Sequence, residues 1–513
     1  MDKNSENKTN IFYLIIVALF IVVSTIYFGA TIYSPFSDIG RELYIPEQIN
    51  KGLTLYKDLF NVYPPLSYII NSILTKLLGN NISIFLLFGC LSTILTTVPI
   101  YLLTKKFTNK HIAFIVSLFI CSSCSFYTSI SNWILPYSYG ITYALCSIMW
   151  SFYNLKKYEE TNENKFLYYS SILVGLSLCF KLEFIGFLLI FFLIMILKKT
   201  NIKIGIKALS FLFVFPLITL AILLIQNCSI NDLTTGAKYI INLTQSETVR
   251  FFYEYSGISL SKNTITRTFY TILNPNLRTL FYPITYICFI FLIITIVKKD
   301  YKIALLLFTG LILSLKSLGG ISFEIYGTYF FPLLFIGIIT YLYKNPNKYK
   351  STIIYVICLC LFICYTTNNI KKINNLAKIK TEKGTIKIPS IYENSTKDIL
   401  KYITTKTQTD DRILILAEGT LINYLTGCKS ENYLYYLIPP NNDIFGKKFI
   451  EKKLLSEDID IIITTNIQYP WYNEKSFITG WGKEYIKVIE TKYQLQETIG
   501  NNLQFNIYKR DII

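Results

Sequence analysis

The residues best suited to chemistry lie in the stretch 34–82. It opens Ser34-Pro35-Phe36-Ser37-Asp38-Ile39-Gly40-Arg41-Glu42-Leu43-Tyr44. Asp38 and Glu42 are four apart, so on a helix they share one face with Arg41 beside them. A carboxylate there can take a proton from an attacking hydroxyl or hold a divalent metal. Arg41 offers a planar fork suited to a phosphate. The competing structural reading is an interfacial helix with a solvated acid–base face. Two further groups stand out. Phe180-Lys181-Leu182-Glu183-Phe184 carries a phosphate candidate in Lys181, while Lys181 and Glu183 together also read as a mutually neutralising pair at a tight turn. Glu324, Tyr326 and Tyr329 lie at another apolar boundary, where tyrosines are common as interfacial belt aromatics.

The elements that must position these groups are apolar. The 513 residues are 52% hydrophobic and 16% charged, against about 25% charged in soluble proteins. Runs long enough to cross a bilayer, or nearly so, fall at 11–33, 83–104, 112–130, 139–155, 166–180, 184–197, 208–226, 281–297, 303–317, 328–343 and 351–367, about eleven spans. The stretch 166–197 also reads as one re-entrant pair. The first run is too long for a signal peptide and has no small-residue cleavage site, so an uncleaved anchor is expected. Alternate loops collect the lysines: Lys105, Lys106, Lys110; Lys156, Lys157, Lys165; Lys198, Lys199, Lys203, Lys207; Lys298, Lys299, Lys302; Lys344, Lys348, Lys350. The loops between them hold Asp38, Glu42, Glu47, Asp58, Glu183, Asp232, Glu247, Glu254 and Glu324. Cationic loops stay cytoplasmic. The expected topology therefore has the N-terminus inside, and residues 34–82 and everything after 367 outside. Charge at the outer ends of spans is expensive, which marks these clusters as functional candidates.

The expected organisation is a helical membrane domain over 1–367 and an extracytoplasmic α/β domain over 368–513. The latter alternates strand-like runs (Ile413–Leu416, Ile459–Thr464, Leu503–Tyr508) with polar helical stretches such as Lys447–Ser456. It holds 21 basic and 17 acidic residues, so the chain's net charge of +18 belongs mostly to the membrane loops. That charge serves orientation, and nucleic acid is not expected as a partner. Asp410, Asp411, Glu418 and Asp443 read as loop and strand-end acids. Most of the 11 cysteines fall in apolar stretches; Cys228 and Cys428 are expected to face solvent. The single histidine, His111, reads as a solvated loop residue, and a Cys/His zinc cage is not expected.

The first outer loop resembles a known class. An acid just after the first span, a helix of the form Gly52-x-x-x-Tyr56-x-Asp58, then Pro64-Pro65-Leu66-Ser67-Tyr68 opening an apolar helix, is similar to the GT-C integral-membrane glycosyltransferases. The nearest group is the protein O-mannosyltransferase and aminoarabinose-transferase relatives. Phe180–Phe184 resembles their Lys-bearing turn, and Glu324–Pro332 a later Tyr-x-x-Pro stretch. The resemblance implies a fold of about eleven to thirteen spans with a structured first loop and an outer C-terminal domain. It implies inverting transfer of a sugar from a polyprenyl-phosphate donor to a lipid, glycan or protein hydroxyl, at the outer face of what composition suggests is a bacterial cytoplasmic membrane. Asp38 matches the first-loop acid acting as base or acceptor-orienting group. Two departures stand: Ile39 replaces the second member of the usual acidic pair, which leaves open whether Glu42 compensates, and Tyr63 occupies the position where some relatives carry a basic residue before Pro64-Pro65. Donor-phosphate binding then falls to Arg41, Lys181, or Arg250, Arg267 or Arg278 of the loop 227–280. The substrate cavity would be lined by Tyr63, Pro64, Pro65, Glu183, Glu324, Tyr326 and Tyr329. No cofactor is implied beyond an optional divalent metal.

Other classes fit less well. A transporter or lipid-linked glycan flippase is the main alternative; such proteins often show internal repeats and midplane charges, and here there is no repeat and the charges sit at span ends. No phosphate-cradling Gly-x-x-x-x-Gly-Lys occurs, which disfavours an ATP-driven pump.

Overall fold

The computed structural model describes residues 3–126, 132–255, 281–314, 321–344, 349–408 and 410–511. Helix α1 (Lys3–Phe28) leads into a two-residue strand β1 (Ala30–Thr31) and then the first loop. That loop holds α2 (Ile39–Asn50) and α3 (Leu66–Leu78). There follow α4 (Ile82–Phe107), α5 (Lys110–Ser125), α6 (Tyr139–Thr161), α7 (Asn164–Phe180), α8 (Phe187–Leu197), α9 (Ile202–Leu212), α10 (Val214–Ile225), α11 (Ile230–Gln245) and α12 (Glu247–Tyr255). Four more helices, Phe281–Val297, Tyr301–Ser314, Ile321–Lys344 and Lys350–Asn374, complete the apolar part.

Apolar side chains such as Phe12, Leu19, Ile26, Leu91, Ile206 and Leu217 stand exposed on the outer helices. Contiguous apolar surface of this kind is stable only against lipid. The protein is a multi-pass membrane protein. By length and composition, four described helices can cross a bilayer unaided: Glu6–Phe28, Ile82–Phe107, Ile202–Ile225 and Lys350–Asn374; Leu66–Leu78, Lys110–Ser125, Leu182–Leu197, Ile284–Val297, Tyr301–Ser314 and Tyr329–Lys344 are shorter apolar helices. The 166–197 stretch is broken where Lys181 adopts extended geometry (φ −158°, ψ 123°) ahead of a 3-10 turn, Leu182–Gly186.

Two sequence expectations change. The segment Gly52–Asp58, read as a helix, is a tight turn in which Asp58 accepts the Thr54 N–H and Tyr56 takes a positive φ of 67°. Cys228 and Cys428 are buried, whereas Cys360 and Cys364 are exposed. The loop that carries Cys228 folds back onto Ile69 and Leu223, Cys428 joins the core that holds Tyr424 and Tyr435, and the second pair sits on the apolar helix Lys350–Asn374.

After residue 374 the chain forms a hairpin, β2 (Leu376–Thr381) with β3 (Gly384–Pro389), and a four-stranded sheet of order β4 (Ile413–Leu416), β5 (Ile461–Thr465), β7 (Phe505–Arg510), β6 (Tyr493–Ile499). β4 and β5 are parallel and the other pairs antiparallel. The parallel pair β4 and β5 is buried along its whole length, as strands covered on both faces require, while β7 buries Phe505, Ile507 and Tyr508 and exposes Lys509. These residues do not pack alone. β1 pairs with β3 in parallel, and one apolar core joins Phe36, Leu43, Tyr44 and Phe60 of the first loop to Leu421, Tyr435, Ile463 and Phe505. Glycine permits the closest approach: a Cβ on Gly40 would lie 2.3 Å from the Leu421 N and 2.6 Å from the Thr420 Oγ1.

Candidate active site

Asp38 caps the N-terminus of α2 without bonding to its backbone, which leaves the carboxylate for side-chain partners. Its Oδ1 accepts from Arg41 Nη1 at 2.7 Å and from the Tyr436 hydroxyl at 2.5 Å. Among the described residues Oδ2 carries no hydrogen bond, and the side chain is 25% exposed. One oxygen is thus fixed and the other open.

Arg41 is the hub. It is 2% exposed, donates from Nη2 to the Tyr137 carbonyl (3.3 Å) and more loosely to Glu42 (3.4 Å), and lies over the rings of Tyr63 (4.4 Å) and Tyr436 (4.8 Å). Its buried Nε has no hydrogen-bond partner among the described residues. Lys181 meets the same Tyr63 ring at 3.8 Å and the Tyr137 ring at 5.6 Å, with Glu183 at 3.7 Å. Tyr63 therefore sits between two buried cations, an arrangement that holds positive charge at close quarters through ring faces. Its backbone is fixed by Tyr56 and Asn61, which both donate to its carbonyl, and Pro64 and Pro65 then set the start of α3. The placement of Lys181 depends on Gly140: a Cβ there would stand 2.5 Å from the Phe180 carbonyl oxygen, so only glycine lets the start of α6 meet the end of α7.

Glu42 has a different role. It is wholly buried, its Oε1 taking the Tyr68 hydroxyl at 2.6 Å and its Oε2 the Tyr139 N–H at 2.8 Å. Burial pushes its pKa up. Both oxygens are committed to tying α2, α3 and α6 together.

Of the remaining candidates, Tyr329 is buried with its ring 6.0 Å from that of Tyr137, so it joins the cluster's rear wall. Arg250 is exposed on α12. Arg267 and Arg278 lie outside the described residues, as do the side chains of Glu324 and Tyr326.

Glu418 and Tyr436 were not singled out by the sequence. Glu418 follows β4, held at φ 59°, and accepts from Tyr469 at 3.4 Å. Burial first, and then the Asp38 charge, raises its pKa to about 7. The available signal was an acid directly beyond the carboxyl end of a buried parallel strand, where α/β sheets place ligand-binding groups. The donor set does not suit a divalent metal: Asp38 is already paired with Arg41, and no group of three or more His, Cys, Asp or Glu side chains converges among the described residues.

Comparison with known proteins agrees with the likeness seen in the first loop. Residues 62–224 match the family model described as dolichyl-phosphate-mannose-protein mannosyltransferase, a span that includes Tyr63, Pro64, Pro65, Lys181 and Glu183 and starts after Asp38. No curated protein matches the chain. Among solved structures, the oligosaccharyltransferase of Archaeoglobus fulgidus in complex with Zn and sulfate aligns at TM-score 0.50 and 12% identity over 97% of this chain and 73% of that one. The same enzyme tethered to an acceptor peptide aligns at 0.50 and 10%, over 98% and 74%. ArnT from Cupriavidus metallidurans bound to undecaprenyl phosphate aligns at 0.47 and 7%, over 97% of each chain. The chain has the fold of the GT-C membrane glycosyltransferases.

Proposed function

We propose that this protein is an inverting glycosyltransferase that moves a sugar from a polyprenyl-phosphate donor to a hydroxyl acceptor at the outer membrane face. The observation that carries the reading is the half-open Asp38 carboxylate, anchored through one oxygen, in the same cluster as two buried cations. The family matched over residues 62–224 is described by a polyprenyl-phosphate sugar donor, which supports the donor class. In the proposed step Asp38 Oδ2 takes the proton of the acceptor hydroxyl as its oxygen bonds to the anomeric carbon. The bond from that carbon to the phosphate oxygen breaks on the opposite face. Lys181 and Arg41 stabilise the departing phosphate, in a setting where water is scarce and charge interactions are strong. A lipid-linked donor needs no cytosolic nucleotide, which suits the orientation set by the lysine-rich loops, with residues 1–367 forming the membrane part and 368–513 lying outside. The Arg41–Tyr63–Lys181 stack supplies positive charge for the departing phosphate.

The test is transfer of radiolabel from polyprenyl-phosphate sugars to a panel of lipid, glycan and protein acceptors by the reconstituted protein and its Asp38→Asn variant. Loss of transfer in a folded variant supports the reading. Near-normal transfer removes Asp38 from the mechanism, and movement of intact donor across the bilayer without transfer would favour a flippase.

A further inference from the structure

Helix α1 and the last apolar helix, Lys350–Asn374, end side by side: the Tyr27 hydroxyl donates to Asn374 Oδ1 at 3.0 Å. Both are long and apolar enough to span a bilayer, and each runs within two residues into a strand of one small sheet, β1 and β2, with β3 between them. The sheet therefore begins at head-group level. Its inner face, Ile379, Ile386 and Ile388, is buried in the core shared with the first loop. The other face carries lysines. In the antiparallel register Lys378 stands directly opposite Lys387, and Lys380 opposite Thr385. Lys387 Nζ reaches back to the Tyr27 carbonyl at 2.7 Å, so this face is turned toward the last turn of α1 and hence toward the bilayer. Lys371, Lys378 and Lys380 are exposed, and none of the three forms an ion pair among the described residues.

Like charges directly opposite on neighbouring strands destabilise a sheet. Burial first, and then the Lys378 charge, lowers the pKa of Lys387. Residues 371–392 hold six lysines and one acid, Glu382, at the hairpin tip, so the segment cannot neutralise itself. Lys383 alone finds a carboxylate on another element, Glu47 of α2 at 3.0 Å. In the proposed orientation, lysines this close to a span also stand on the side where they are ordinarily scarce. Tyr33 and Ile391 are exposed two residues beyond β1 and β3, an amphipathic and an apolar group suited to the same interface. We propose that the lysine face of this sheet binds the phosphate head groups of anionic phospholipids in the leaflet at which α1 ends. The lipid phosphates supply the counter-charge that Lys371, Lys378 and Lys380 lack. The hairpin they seat also holds β1, the strand that leads into the first loop.

The test places the full-length protein in phosphatidylcholine bilayers containing a trace of phosphatidylglycerol with a photoactivatable head group or, in parallel, phosphatidylcholine with the same probe. Labelled residues are mapped by mass spectrometry. Labelling of residues 371–391 by the phosphatidylglycerol should exceed that by the phosphatidylcholine at least about fivefold, the effect of one lysine at an anionic surface. The excess should shrink as salt is added. The triple variant Lys371→Gln, Lys378→Gln, Lys380→Gln should lose most of it, while labelling of the lysine-rich loop 198–207 stays as in the parent. Lys383 and Lys387 are kept, because each holds a partner of its own. The variant relieves the Lys378–Lys387 contact, so its melting temperature in zwitterionic detergent should not fall; Lys378→Gln alone serves if the triple variant fails to fold. Equal labelling by the two lipids, or an undiminished excess in a folded variant, overturns the inference. So does displacement of the label by a soluble anionic polysaccharide, which would assign the face to a glycan. The readout does not pass through sugar transfer: Asp38→Asn, whatever its activity, should show the parent's labelling.

Discussion

One turn of α2 separates two carboxyls with opposite surroundings. Glu42 is sealed between three helices with both oxygens bonded. Asp38 is bonded through one oxygen and open at the other. Both face Arg41, and both are the kind of residue that reads as an acid candidate beside a membrane. What separates them is satisfaction: a carboxyl whose every lone pair is engaged by rigid donors is frame, and one that keeps an unengaged oxygen beside cations can exchange a proton. In a membrane protein, where isolated charge is so costly, the count of committed oxygens is a better guide to role than burial or charge alone.

Asp38→Asn should lower kcat for transfer by about 10²–10⁴-fold, the usual contribution of a general base, with an unchanged melting profile in detergent. Glu42→Ala should reverse the pattern: it strands the Tyr68 hydroxyl, the Tyr139 N–H and part of the Arg41 charge, and should lower stability by about 3–5 kcal/mol as read by chemical denaturation. If Glu42→Ala folds normally and only transfer is lost, the division between frame and chemistry fails. Lys181→Met should raise donor KM about 10–100-fold, as expected for one charge-assisted contact to phosphate, while acceptor KM stays put; equal effects on both would place Lys181 at the acceptor.

The smallest effect concerns pH. Glu418 has its pKa raised from 4.5 to about 7 in the folded protein, so the folded state binds its proton more tightly than the unfolded chain does. This contribution to stability is complete below about 4.5 and is lost as pH climbs through about 7. The melting temperature of the parent should therefore drop more between those values than that of Glu418→Gln, and parallel curves for the two proteins would contradict it.

Much of the positioning frame is legible in the amino-acid sequence because its signals are local. Apolar runs, the lysine pattern of alternate loops, Pro64-Pro65 before an apolar helix and the Asp38–Arg41–Glu42 spacing are all read within a few residues. The meeting of Lys181 with Arg41 across Tyr63 is not local, yet both cations stood out because each is an expensive charge at a span end. Glu418 and Tyr436 escaped notice for a different reason. Tyr436 reaches Asp38 over a separation of 398 residues, through a core in which the first loop and the last strands share side chains, and the place of Glu418 beyond the end of β4 does not by itself tell what that strand end faces. The turn at Gly52–Asp58 was misread because its Gly-x-x-x-Tyr-x-Asp spacing suits a helix, whereas the Asp58 bond to the Thr54 N–H and the left-handed Tyr56 close a loop instead.

The two-residue strand β1 pairs with β3 more than 350 positions further along. Contacts of such range form late. As the ribosome feeds out the chain, the segment following α1 must wait, its edge unpaired, until Ile386 and Lys387 have been made and delivered to the same side. A truncated product ending before them would insert its early helices yet lack the stitch that seats Asp38. The first loop of an unfinished chain would thus stand without the strand that closes its edge.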